Sequence, residues 1–184
     1  ARYWDIKATL EFEKADTLAA IRSFEKSVDI NPQPDVVISL GVIYAQTKNP
    51  MALAMADGLS MANSASAEKE AQFIKGLYYS YINEKKKAIV FFDKCIKISY
   101  TFMEAYREKA IALYDLGEYK AAIDVLNKAV TLQNNYDEGY YYLGRCLQKL
   151  DLNKEALDMY QRALLYDPNY IEAKQALSEL GVKS

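Results

Sequence analysis

Hydrophobic positions along this chain fall in a stripe of helical spacing that returns at one fixed period, the step from Ala122 to Ala156. Between Asp137 and Pro168 the stripe places Ala156, Leu157, Tyr160, Ala163 and Leu164 at i, i+1, i+4, i+7 and i+8, one buried face of an α-helix. One period earlier the same places hold Ala122, Ile123, Leu126, Ala129 and Val130, and before them Ala88, Ile89, Phe92, Cys95 and Ile96. At the start of the chain they hold Ala20, Ile21, Phe24, Ser27 and Val28. Small and large side chains alternating at a fixed period are the signature of a repeat array, in which each unit buries its face against its neighbours.

The period predicts five units, 1–34, 35–68, 69–102, 103–136 and 137–170, followed by residues 171–184. Each unit reads as two helices. In the first unit Trp4, Ala8 and Phe12 belong to the opening helix, Asp16 is placed to cap the second, and that helix stops before Asn31-Pro32. Pro32, Pro34, Pro50 and Pro168 all fall at predicted junctions, where a missing N–H is least costly. Gly76, Ala110 and Gly144 form a small-residue column in the opening helices.

The second unit is irregular. Gly41 and Tyr44 stand one residue early, and an extra residue in the Lys48-Asn49-Pro50 turn would bring Ala54 back into frame. Its second helix is rich in Ala and Met, which predicts close packing or a kink, with Met51, Met55 and Met61 as core filler. Gly117-Glu118-Tyr119 turns the fourth unit, and Lys85 to Lys87 are expected in the corresponding solvated turn of the third. After residue 170, Ile171, Ala173, Ala176, Leu177 and Leu180 mark an amphipathic closing helix that stops at Gly181.

Composition narrows the function. Half of the 184 residues are apolar and 26% are charged, as in an ordinary folded domain. A net charge of −2 and a pI near 5.4 give no electrostatic drive toward nucleic acid or an anionic membrane surface. No apolar run approaches the roughly 18 residues of a membrane span, so no membrane insertion is expected. The chain starts at Ala1 rather than Met, consistent with a leader or upstream domain that has been removed, and its compartment is left open.

Histidine is absent, which removes His-based triads and His zinc sites. There is no phosphate-binding Gly loop, and carboxylates such as Asp57, Asp93 and Asp124 read as exposed helix positions. No catalysis, cofactor or metal is therefore expected. Cys95 and Cys146 fall on helices separated by several others and read as small buried hydrophobes rather than a disulfide.

These columns resemble the tetratricopeptide repeat, a helix-turn-helix family with units of about 34 residues. The fifth unit carries Tyr140, Leu143, Gly144, Leu147, Ala156, Tyr160, Ala163 and Pro168 where that family expects a large aromatic, Leu, Gly, an apolar residue, Ala, a large aromatic, Ala and Pro. The first carries Trp4, Ala8, Ala20, Phe24 and Pro32. Departures are Lys7, Lys75 and Lys109 in the Leu143 column, Asn134 and Tyr100 in the Pro168 column, and Gly58 with Met61 in the second unit. The resemblance implies an all-α fold, a right-handed α-α superhelix of five helix-turn-helix units with a C-terminal capping helix.

It also implies that the first helix of each unit lines a concave side. Those helices carry a second apolar stripe: Phe73, Leu77 and Ser80 in the third unit, Arg107, Ile111 and Tyr114 in the fourth, and Tyr141, Arg145 and Gln148 in the fifth. Along one edge stand Glu70, Glu104, Glu138 and Glu172, which would favour Lys or Arg in a bound segment; the plainer reading is that Glu in a first turn complements the helix dipole. The best-known peptide-binding members of the family clamp a terminal carboxylate with basic and amide groups. Asp5, Thr9 and Glu104 stand where that clamp would be, which argues against a receptor for Hsp70 or Hsp90 tails.

The expected function is a non-catalytic protein-interaction scaffold that holds a peptide segment or partner helix in the groove. One alternative is self-association through the N-terminal end, where Tyr3, Ile6 and Leu10 have no preceding repeat. RNA binding is a second, opposed by the net charge and the Glu column.

Overall fold

The computed structural model describes residues 1–181. Among the described residues the chain forms eleven α-helices and no strand. They are α1 (Arg2–Glu13), α2 (Thr17–Ile30), α3 (Pro34–Gln46), α4 (Met51–Ser60), α5 (Ala65–Tyr81), α6 (Lys85–Ile98), α7 (Met103–Asp115), α8 (Tyr119–Leu132), α9 (Asp137–Lys149), α10 (Asn153–Tyr166) and α11 (Ile171–Glu179). Consecutive helices pack in pairs, and α11 follows alone. Two compact units result, Ala1–Ser99 with α1 to α6 and the remainder from Tyr100 with α7 to α11.

Every pair is closed by the same turn. One residue between the helices has a left-handed φ: Ala15, Lys48, Asn83, Gly117 and Asp151, at 59°, 60°, 67°, 76° and 60°. The N–H of the following residue donates to a carbonyl of the preceding helix, Asp16 to Glu11 at 2.9 Å, Glu84 to Tyr79 at 2.8 Å and Leu152 to Leu147 at 3.0 Å. The bond satisfies a carbonyl that the helix end leaves without an internal donor. Asp16 then caps α2 by accepting from the Ala19 N–H at 3.1 Å, and Ser64 caps α5 through Ala67 at 3.2 Å. Lys85 to Lys87 lie beyond this turn, in the first turn of α6, where Lys85 reaches Ser80 and Lys87 reaches Glu84.

The small columns let paired helices approach. Ala20, Ala88, Ala122 and Ala156 are fully buried. A Cβ added at Gly76 would lie 2.5 Å from the Phe92 ring, and one at Gly144 would lie 2.5 Å from the Tyr160 ring. The glycine is therefore the space that the facing aromatic occupies.

The second pair departs from the expected frame. Ala54 is exposed, whereas α4 buries Ala52, Ala56 and Leu59 at i, i+4 and i+7. Ala52 thus takes the place of Ala20 and Ala88, and it follows Gly41 one place sooner than Ala88 follows Gly76. The turn itself, 47–50, has four residues against three in 82–84, yet Ala52 is the second residue of α4 where Ala88 is the fourth of α6, so the two columns stand one place closer. The frame is recovered across α4 and α5: the connection between them, 61–64, has four residues like 99–102, with Asn63 at a φ of 49°, but α5 starts eleven places before Gly76 where α7 starts seven before Ala110. There the step from Ala52 to Gly76 is two places longer than the step from Ala88 to Ala110. With this register Met51 and Met61 lie on the surface, Met61 at 84% exposure, and only Met55 is partly buried against the core.

Two departures from the repeat pattern have local causes. Lys75 pairs with Asp57 of α4 at 2.7 Å, so this carboxylate is not merely solvated, and Lys7 lies 5.0 Å from the Trp4 ring centre. At the far end Ala176 and Leu177 of α11 cover Ala156 and Tyr160. Ile171 points away from that face and is exposed. Gly181 closes the helix with a φ of 79°, and the tail after it lies outside the described residues. Cys95 and Cys146 are both free and buried.

Candidate functional site

In the unit formed by α7 to α11, the first helices of the two pairs carry most of the residues singled out by their spacing. Arg107 on α7 is the electrostatic centre. Its Nη1 donates to both carboxylate oxygens of Glu138 on α9, at 2.6 and 2.8 Å, while Nε and Nη2 donate to Glu108 Oε1 at 3.3 and 3.2 Å. Burial pulls the guanidinium pKa down, but Glu108 and Glu138 more than offset it, so the net shift is upward and Arg107 stays charged. Its side chain is 25% exposed, so this network is neither a loose surface pair nor a fully dry one.

Arg145 on α9 is held differently. Its Nη2 donates to the Tyr114 hydroxyl at 3.2 Å and its guanidinium lies 4.7 Å from the Tyr114 ring centre. Burial lowers its pKa, and Tyr114 and Tyr141 reverse that to a net rise. Arg145, Tyr114 and Gln148 line one cavity of about 550 Å³ together with Lys149 and Glu179. Gln148 also accepts a hydrogen bond from the Tyr160 hydroxyl at 2.8 Å, which ties the cavity wall to the core.

Aromatic side chains fill the rest of this face. Tyr141 stands 5.0 Å from Tyr170, 5.1 Å from Tyr142 and 5.9 Å from Tyr160, centre to centre. Ile111, Tyr114, Tyr141 and Tyr142 are all half-buried. Burial, above all, raises the Tyr141, Tyr142 and Tyr170 hydroxyls, and these phenols stay protonated at neutral pH.

The Glu column divides. Glu138 is taken up by Arg107, and Glu70, in the other unit, pairs with Lys69 at 2.9 Å. Glu104 is exposed, and with Glu138 and Tyr136 it lines a smaller cavity of about 270 Å³. In the unit formed by α1 to α6, Phe73 is half-buried with its ring 6.0 Å from Phe92. Leu77 is 4% exposed and Ser80 is buried too; both are core residues, so the expected open stripe reduces there to Phe73. Leu77 belongs to the core cluster of this unit, and Ser80 accepts from Lys85 Nζ at 3.2 Å.

Four contributors were not anticipated: Glu108, Tyr136, Tyr142 and Tyr170. Two of them had a legible signal. Phe102, Tyr136 and Tyr170 recur at the period of the repeat, and each stands directly before a first helix. Tyr136 is buried there, and its hydroxyl donates to Glu138 at 3.4 Å. Among the described residues no group of three His, Cys, Asp or Glu is arranged to hold a metal, and no helix is long and apolar enough to cross a membrane.

The tetratricopeptide repeat model matches residues 87–180, just over half of the chain, and a second model of that repeat matches 69–102. The chain belongs to the tetratricopeptide repeat family. Its fold is the all-α helical-repeat solenoid of TPR proteins. A thermophilic TPR protein of Thermus thermophilus superposes with a TM-score of 0.79 at 17% identity, over 98% of this chain and 99% of that one. The first TPR of Spaghetti, solved bound to an HSP90 peptide, SRMEEVD, matches at TM-score 0.59 and 24% identity, over 62% of this chain and 90% of that one. YrrB, a TPR protein with an unusual peptide-binding site, matches at TM-score 0.60 and 15% identity, over 95% and 90%. At these identities the likeness is one of fold. No curated sequence matches the chain.

Proposed function

We propose that this TPR chain is a non-catalytic protein-interaction module that holds an extended peptide or a partner helix on the first-helix face of α7 and α9. Membership of a family of interaction modules supports the general reading, as do relatives solved with peptide bound. The observation that carries the finer one is the row of half-buried Ile111, Tyr114, Tyr141 and Tyr142 beside Arg107 and Arg145. Large amphipathic side chains with few rotamers, mixed with Arg, are the usual anchors of polypeptide interfaces. Arg145, Gln148 and Lys149 supply donors at one end, and Glu104 with Glu138 supplies acceptors near Tyr136. A segment bound here carries an acidic or carbonyl-rich end toward α9 and a basic residue toward Glu104.

The test is selection of random dodecapeptides displayed on phage against the immobilised chain, repeated with the Ile111→Ser/Tyr141→Ser variant after circular dichroism has verified its fold. The expected result is an enriched motif whose binding weakens about tenfold or more in the variant. No enrichment, or a motif bound equally by both proteins, contradicts the proposal.

A specific observation favours one second reading. Tyr3, Ile6 and Leu10 are exposed on one face of α1, Tyr3 at 68%, and association through them would bury that face. Light scattering over a concentration series decides it: growth in mass that Ile6→Ser abolishes supports association, and a constant monomer mass excludes it.

A further inference from the structure

In four of the five helix pairs, the residue six places after the buried alanine of the second helix is a cation. These are Lys26 after Ala20, Lys94 after Ala88, Lys128 after Ala122 and Arg162 after Ala156. Two of them lie over an aromatic ring of their own first helix. Lys26 Nζ is 4.3 Å from the Trp4 ring centre, and the Arg162 guanidinium is 6.0 Å from that of Tyr140. Trp4 and Tyr140 each stand four places before the small residue of their helix, Ala8 and Gly144.

In the pair α3/α4 both members of this contact are reduced. The register set by Ala52 puts Gly58 in the place of the cation, and Val37, four places before Gly41, in the place of the aromatic. A Cβ at Gly58 would meet nothing within 4 Å. Both residues line a cavity of about 450 Å³, within the size range of ligand pockets. Val37, Ile38 and Leu59 form its apolar part; Asp35 and Glu70 also line it, and no Lys or Arg does. Glu70 has Lys69 beside it at 2.9 Å, and Asp35 stands in the first turn of α3.

We infer that this cavity receives a Lys or Arg side chain from a partner polypeptide, supplying from outside the cation that the other four pairs carry themselves. The methylene stem lies along Val37, Ile38 and Leu59, and the charged head reaches the carboxylates of Asp35 and Glu70. Long basic side chains bury their stems against apolar surface while keeping the charge at a polar edge, and this lining offers both. An aliphatic residue without charge would satisfy only the apolar part, so charge complementarity selects the occupant. The mouth stays open because the residues beside it, Ala62 and Ser64 of the connection and Ser66 in the first turn of α5, are small. The site lies in the unit of α1 to α6 and stands independently of the α7 and α9 face.

The experiment is an amide NMR titration of the full chain with the peptide acetyl-Ala-Leu-Arg-Leu-Ala-amide, with the Gln peptide of otherwise identical sequence as control. Saturable shifts at Gly58, Ser64 and Ala67 are expected, with the Gln peptide binding about tenfold more weakly. Gly58→Lys, which restores the cation of the other pairs at a position where a side chain meets no obstacle, is expected to abolish those shifts. Asp35→Asn is expected to weaken them while leaving the fold and the cavity intact. Absence of saturable shifts at these residues, equal binding of the two peptides, or unchanged shifts in Gly58→Lys overturns the inference.

Discussion

At the scale of single residues, stability rests on where small side chains are obligatory and where they are incidental. Gly144 faces the Tyr160 ring at a distance no Cβ tolerates, whereas Gly58 faces open space. Gly144→Ala is therefore expected to cost about 1–3 kcal/mol through overpacking, while Gly58→Ala gains up to about 1 kcal/mol from helix propensity. Urea unfolding of the two variants reads the opposite signs directly. Ala15 holds a φ of 59° in the turn where the fourth pair has Gly117, so Ala15→Gly is expected to stabilise by about 0.5–1 kcal/mol, seen as a higher urea midpoint. The buried alanines were legible wherever a large residue follows four places on, as Phe24, Phe92, Leu126 and Tyr160 do. In α4 the run Ala52, Ala54, Ala56 offers three identical methyls, and only Leu59, seven places after Ala52, gives the phase.

At the scale of elements, a recurring turn and helices of unequal length explain what the period conveys and what it hides. Helix pairing follows from the stripes and from the prolines at junctions, but Ala52 follows Gly41 one place early and Gly76 follows Ala52 two places late, changes that a fixed period averages away. The face of α7 and α9 was partly legible. Arg107, Tyr114, Tyr141, Arg145 and Gln148 gather there, yet their partners do not follow from spacing. Arg107 takes Glu138 and Glu108, Arg145 takes Tyr114, and Leu77 turns into the core. The closing helix has a structural task, since Leu177 covers Tyr160 and Ala156. Leu177→Ala is expected to cost about 2–4 kcal/mol in urea unfolding, and an unchanged midpoint would show that α11 caps nothing.

At the scale of the whole molecule, composition spoke clearly about charge and the absence of His, while the division at Ser99 and Tyr100 is invisible to the repeat. Burial also sets an alkaline limit to stability. It raises the Cys95 and Cys146 thiols from 9.0 to about 12, and it lifts the Tyr136, Tyr160 and Tyr170 hydroxyls above their ordinary 10.0. The folded chain thus keeps protons that the unfolded chain releases, so this stabilisation is complete below pH 9 and declines as pH rises toward 12. The urea midpoint is expected to fall across that window, and less steeply in Cys95→Ala/Cys146→Ala.

Hydrogen–deuterium exchange of the full chain, with and without a peptide obtained by the selection described above, tests the proposed interaction face most directly. Slowed exchange concentrated in α7 and α9, around Arg107 to Tyr114 and Tyr141 to Gln148, is the predicted result. Slowing confined to α8 and α10, or no change in α7 and α9 at saturating peptide, would contradict it.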